Sequence, residues 1–182
     1  TIENQTANDP ALRPAKISLA DVPFIELTGW SNDNFEQAGW QGIVALSAQQ
    51  TGAARAIFEI TVDYLQTRYQ FGRPIGSFQA LKHIAADLFL EVESATSASQ
   101  AAARALASKA PQTAQSVALA GFLCNDAFRE VSAQAIQLHG GIAYTQEHVA
   151  HLYWRRARAM LSMFGDSDLH REAYLSAWEA AA

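Results

Sequence analysis

A single cysteine, Cys124, rules out an internal disulfide. It lies in the apolar run "VALAGFLCNDAF" at 117–128 with no His/Asp partner pattern around it, so it reads as a buried structural thiol. Basic residues are few. Thirteen Lys and Arg against eighteen Asp and Glu leave a formal charge of -5, and a polyanion binder needs a basic face, so nucleic acid is excluded as a partner. The one basic run, "WRRARA" at 154–159, spaces its arginines helically and reads as a solvated or intersubunit face. No apolar stretch approaches the roughly 18 residues of a membrane span, and no basic region followed by an apolar block marks a signal peptide. These absences predict a soluble protein of a reducing, cytoplasmic compartment with no membrane partner.

Apolar residues are plentiful instead: 49% of the 182 residues are hydrophobic, enough for one sizeable core. The chain divides near residue 34. In 1–34, "NDPALRP" is turn chemistry, and "AKISLADVPF" reads as one extended strand with Ile17 and Leu19 on one side and Pro23 at its end. No second strand is evident, so its partners are expected from preceding residues or another chain. From Phe35 the period becomes helical. Ile43, Leu46, Ala53, Ile57, Ile60 and Tyr64 line a first helix that should stop near Phe71-Gly72, ahead of Pro74 and Gly76. Ser77 is the candidate cap of a second helix striped by Leu81, Ile84, Leu88, Val92 and Ala95. "SKAP" breaks the pattern before a third, with Val117, Ala120, Leu123, Ala127, Val131 and Leu138. That helix ends at "HGG", where Gly140 and Gly141 suit a left-handed stop. Thr145 is the candidate cap of a fourth, with Leu152, Ala159 and Met163 inside, and "GDSD" precedes a last helical piece. The prediction is an all-α, up-and-down four-helix bundle over 35–182, with helices of roughly 25 to 30 residues.

Two familiar chemistries fail on context. Bundles hold metals through Glu-x-x-His pairs on facing helices. No Glu here has a His three residues later, and His148 and His151 lack a second cluster, so no metal is expected. "GDS" and "HGG" do not follow strands, and no G-x-S-x-G elbow supplies a nucleophile.

Two glycine corners carry the remaining signal: "RYQFGRPIGSFQALKH" at 68–83 and "AIQLHGGIAYTQEHVAHLYWRRARA" at 135–159. As an ordered pair they resemble the C-terminal domain of the acyl-CoA dehydrogenases, a likeness running from about Phe35 to the C-terminus. That resemblance implies a bound FAD and removal of two hydrogens between the α and β carbons of an acyl-CoA thioester. It also implies an electron-accepting flavoprotein, a homo- or hetero-oligomer, and residues 1–34 as the end of a β domain plus linker. The residue types suit a dinucleotide. A planar guanidinium at Arg68 grips two pyrophosphate oxygens at once. Phe71 offers a flat face, and Gln79 both a donor and an acceptor. Gln137, Gly140 and Gly141 allow close backbone approach at the second corner. In the family the matching positions reach a neighbour's FAD; the plain alternative is that Arg68 only caps a helix and the glycines only turn the chain.

The resemblance breaks at the catalytic base. The family's glutamate position is filled by Phe164 in "SMFGDS", and the position used by a smaller branch, 26 residues before the motif arginine, is Gly42. Asp166, Asp168 and Glu147 are the substitute carboxylates this chain offers. Otherwise it resembles the non-catalytic partner of the heteromeric dehydrogenases of actinobacterial steroid breakdown, or a flavin-free helical assembly module. A chain beginning at the last strand would lack most of the family's flavin pocket, so weak or absent FAD binding is expected of these 182 residues in isolation.

Overall fold

The structure, a computed structural model, describes residues 1–26 and 28–180. Three long helices dominate: α1 (Asn32–Thr67), α2 (Gln79–Ser108) and α3 (Thr113–His139). Two short ones follow, α4 (Ala150–Met160) and α5 (Ser167–Glu179). Side-chain neighbours give the directions. Arg55 meets Glu93 and Phe58 meets Phe89, while Cys124 meets Ala95 and Thr113 meets Ala105, so α2 runs antiparallel to both α1 and α3. Gln50 meets Asn125 and Tyr64 meets His139, so α1 and α3 are parallel neighbours. Ser167 meets Asp126 and Tyr174 meets Phe122, so α5 runs antiparallel to α3. The topology is the up-and-down bundle the periodicity predicts, with its fourth layer broken between α4 and α5. No helix among the described residues is long and apolar enough to cross a membrane.

The core is alanine-rich where helices approach most closely. Ala95, Ala98, Ala102, Val117, Ala120, Cys124 and Ala127 join α2 to α3. Larger groups, Ile57, Leu65, Leu88, Val92, Phe128, Val131, Leu138 and Met160, fill the end toward the glycine corners. Cys124 is buried as expected, and desolvation pushes its thiol up to about 12, so it is inert at neutral pH.

Where the fold departs from the sequence reading, the reasons are physical. The buried face of α1 is offset from the predicted stripe and includes Ser47, Gln50, Thr51 and Thr61. Thr51 and Thr61 return their hydroxyls to carbonyls one turn back, and Gln50 donates to Asn125 across the helix pair. The two threonines satisfy their polarity within the helix and Gln50 does so only in part, by a contact with a distant helix, so apolar periodicity reports none of them. α1 stops at Thr67, four residues before Phe71, because Tyr69–Gln70 (β3) and Arg73–Pro74 (β4) form a two-residue hairpin whose turn puts Phe71 at φ 53° and Gly72 at φ 78°. Ser77 does not cap α2. Its hydroxyl donates to Pro74 O, and Phe78 stands at the cap position. Likewise Thr145 turns back to Ile142 O inside the 3₁₀ segment Gly140–Tyr144, so α4 starts five residues later, at Ala150. Leu152 is 45% exposed; Ala150, Ala157 and Met160 are the buried face of α4.

The N-terminal strand has a partner in the chain after all. Ile2–Asn4 (β1) pairs antiparallel with Ala15–Ile17 (β2), Ile2 opposite Ile17. Both strands lie exposed. The turn between them is anchored: Asp9, 5% exposed, pairs with Arg156 of α4. Arg156 therefore belongs to an ion pair and not to a solvated arginine face.

Candidate functional site

The hairpin after α1 presents Arg68, Phe71 and Gln79 on an exposed corner. Arg68 is the C-cap of α1: its N–H donates to Tyr64 O while its backbone turns extended, which frees the side chain from the helix. Phe71 is 89% exposed and sits edge-on to Phe78, rings 6.1 Å apart. Arg73 lies 3.9 Å over the other aromatic, Phe78, as a cation–π contact. A bulky side chain in the left-handed region carries strain, and here the strain holds an aromatic out in solvent. Gln79 follows at the start of α2, exposed.

The second corner lies at the same end of the bundle, because α1 and α3 run parallel. Gln137 is exposed on the last turn of α3, and Gly140 ends that helix at φ 65° and ψ -144°, a combination that excludes a β-carbon. Added Cβ atoms on Gly140 or Gly141 would meet nothing within 4 Å, so this backbone is open to approach. The donor set fits a dinucleotide: an outward guanidinium, an amide, a projecting phenyl ring and an open glycine backbone.

Between the corners lies a stack that sequence reasoning missed. The His139 ring is 4.5 Å from Tyr64 of α1 on one side and 4.5 Å from His148 on the other. His139 Nδ1 donates to Ala135 O at 2.7 Å, which leaves Nε2 buried without a partner. Burial pushes its pKa down; the Ala135 carbonyl opposes this, and His148 adds to the lowering. Tyr64 appears in the sequence only as a stripe position and His148 as a packing or surface residue, so nothing local announces their contact.

The two positions that the family resemblance assigns to a base also meet, far from these corners. A Cβ on Gly42 would lie 2.5 Å from Cε1 and 2.6 Å from Cζ of Phe164. A phenyl ring therefore rests on a bare stretch of helix where the resemblance expects a carboxylate. Gly42 precedes Arg68 by 26 residues of helix, a separation of about 39 Å. Asp166 caps α5, accepting from Leu169 N at 2.9 Å, and Asp168 accepts from Arg171 at 2.9 Å with its side chain 90% exposed. Glu147 stands exposed in the segment before α4.

Residues 42–177 match the family model described as "Acyl-CoA dehydrogenase, C-terminal domain". The acyl-CoA dehydrogenase IpdE2 of Mycobacterium tuberculosis is 41% identical over 140 residues, which is 75% of this chain and 42% of that protein. Among solved structures, the ChsE4-ChsE5 complex of the same organism aligns with TM-score 0.75 and 28% identity over 82% of this chain and 40% of the other. A variant of the Tcur3481-Tcur3483 steroid ACAD aligns over all of this chain and 50% of its own, with TM-score 0.90 at 24% identity, a likeness of fold. The chain thus spans half or less of each of these relatives.

Proposed function

Since the chain belongs to the acyl-CoA dehydrogenase family, as its C-terminal helical domain, we propose that it is the flavin-clasping part of an FAD-dependent acyl-CoA dehydrogenase oligomer whose catalytic base comes from another chain. Residues 1–34 are then the end of a β domain with its linker, and 35–182 the bundle that docks on neighbours in the cytoplasm. FAD, when bound, supplies the acceptor for the hydride removed from the β carbon of the acyl thioester.

The observation that carries this reading is that Arg68, Phe71 and Gln79 share one end of the bundle with Gln137, Gly140 and Gly141. Arg68 would pair with pyrophosphate oxygens and Phe71 would lie against a flat ring. Gln79 and Gln137 would donate and accept at polar edges, and the backbone at Gly140–Gly141 would approach without steric cost. The base corner at Gly42 and Phe164 is at the far end of α1, farther than an extended flavin dinucleotide reaches from Arg68. A clasp so placed serves a reaction centre on an adjoining protomer, which supports an oligomer.

The absence of a carboxylate at Phe164–Gly42 supports a partner that brings the base. A ring cannot accept the α-proton, Asp166 caps α5, Asp168 pairs with Arg171 in solvent, and Glu147 stands beside His148 at the other end of α1 from Gly42. The ChsE4-ChsE5 neighbour, itself a complex of two differently named components, is consistent with such a division of labour. The acyl group is fatty or steroid-derived, and the electrons leave to a separate flavoprotein.

Co-expression with a related chain that carries the base tests both parts. The complex is expected to retain flavin and dehydrogenate an acyl-CoA, and Arg68→Ala is expected to lower flavin retention while helicity is unchanged. A complex indifferent to Arg68→Ala reduces the chain to an assembly module. A fully active oligomer of this chain alone removes the partner and returns the base to Asp166, Asp168 or Glu147.

A further inference from the structure

We infer that His139 is a positioning residue: its ring, wedged between Tyr64 of α1 and His148 of the segment before α4, sets the spacing between the Arg68 corner and the Gly140–Gly141 corner. This rests on the flavin-clasp reading above and adds to it the part that keeps the two halves of the clasp in register.

Three observations converge on it. His139 is 4% exposed at the end of a helix, where most side chains are solvated, and it immediately precedes Gly140. Two rings lie 4.5 Å from its own: Tyr64 on α1, the helix that leads into the Arg68 corner, and His148 in the segment that follows the Gly140–Gly141 corner. Tyr64, the neighbour on α1, is also the residue whose carbonyl accepts the Arg68 N–H. A displacement of the His139 ring therefore passes through Tyr64 to the backbone of Arg68 and directly to Gly140. On the third side, His148 Nδ1 accepts from Ala150 N at 3.2 Å, so the stack also fixes where α4 begins.

The single hydrogen bond of the ring, Nδ1–H to Ala135 O one turn back, lies within α3 and ties the ring to neither corner. Nε2 is buried and unpaired, so the polar character of the ring is used on one edge only. Shape, more than charge, is what this position supplies. A phenyl ring should therefore substitute for it, and a methyl group should not.

The test uses the assembled enzyme with its partner. His139→Ala is expected to raise the dissociation constant for FAD by about tenfold or more, the scale on which small misplacements of binding groups act. His139→Phe is expected to restore retention to near the native level. Hydrogen exchange supplies a readout that needs no flavin: in His139→Ala, the amides of both Arg68 and Gly140 should exchange faster, and in His139→Phe neither should. Should His139→Ala fail to fold, His148→Ala and Tyr64→Leu remove one neighbour each, and each is expected to weaken flavin retention. Loss of flavin in Arg68→Ala but none in His139→Ala or the two neighbour variants would overturn the positioning role while leaving the clasp intact. Indifference to all of them, Arg68→Ala included, would overturn the clasp itself. Equal loss in His139→Ala and His139→Phe would show that the imidazole nitrogen and not the wedge is what matters, and would overturn the inference as stated.

Discussion

The ring of Phe164 rests on Gly42, so the C-terminal end of the α4 layer and the first turns of α1 are joined through a residue that has no side chain. Phe164 itself adopts φ 57°, a conformation few non-glycine residues hold without support from neighbours. This pairing predicts strong coupling between the two sites. In a Phe164→Ala background, Gly42→Ala should stabilise by about 1 kcal/mol, the helix-propensity gain. In the native background the new methyl meets the ring, and that gain should vanish or reverse, giving a coupling energy of about 1 kcal/mol or more by chemical denaturation of the four proteins in the cycle. Additive effects would mean the ring does not sit where described.

Gly121 is the stricter case. A Cβ there would lie 2.6 Å from His170 Cγ, and His170, 4% exposed, has nowhere to go. Gly121→Ala is expected to cost about 1–3 kcal/mol of overpacking against about 1 kcal/mol gained in helix propensity. The damage should be confined to α5, seen as faster amide exchange across Ser167–Glu179.

Stability should fall with acidification near neutrality. Burial lowers the pKa of His139 and of His170 below the ordinary value of 6.5; at His170, Asp166 and the Gly165 carbonyl oppose that lowering. The unfolded chain therefore binds more protons than the folded one in this range. The stability held by these neutral rings is complete above 6.5, declines as pH falls from there toward the depressed folded values, and levels off below them. Urea midpoints measured from pH 8 to pH 5 should show the decline, and His139→Phe should remove its share. A flat profile across that range would contradict both buried rings.

Phe71→Gly separates stability from binding. Glycine relieves a left-handed strain of about 1–2 kcal/mol, while the lost edge contact with Phe78 is worth about 1 kcal/mol. The melting temperature is expected to stay level or rise. Flavin retention in the assembled enzyme is expected to fall, because the projecting aromatic face is gone. A parallel fall in both quantities would mean Phe71 is a structural residue only.

Removing the Arg156 guanidinium leaves Asp9 buried without its partner, an arrangement that costs about 3–5 kcal/mol when the charge cannot escape. Here it can escape, because β1, β2 and the turn between them lie on the surface. Arg156→Ala is therefore expected to release this strap before it unfolds the bundle. Limited proteolysis should cut within residues 5–14, with helicity little changed.

Much of the bundle was legible in the sequence. The apolar spacing of Leu88, Val92 and Ala95, and of Val117, Ala120, Ala127, Val131 and Leu138, marks the buried faces of α2 and α3, and the break before Pro111 and the stop at Gly140 are local backbone chemistry. Residue types at Arg68, Phe71, Gln79, Gln137, Gly140 and Gly141 could likewise be read, since side-chain chemistry is written residue by residue. Tertiary structure alone decided which of these face one another. It set the two corners at one end of the bundle, stacked His139 between Tyr64 and His148, seated Phe164 on Gly42, and tied Asp9 to Arg156 across 147 positions. Local pattern records the period of a helix but not its neighbour. Those contacts arise only when separate helices pack, and the energy of that packing depends on shapes brought together from distant parts of the chain.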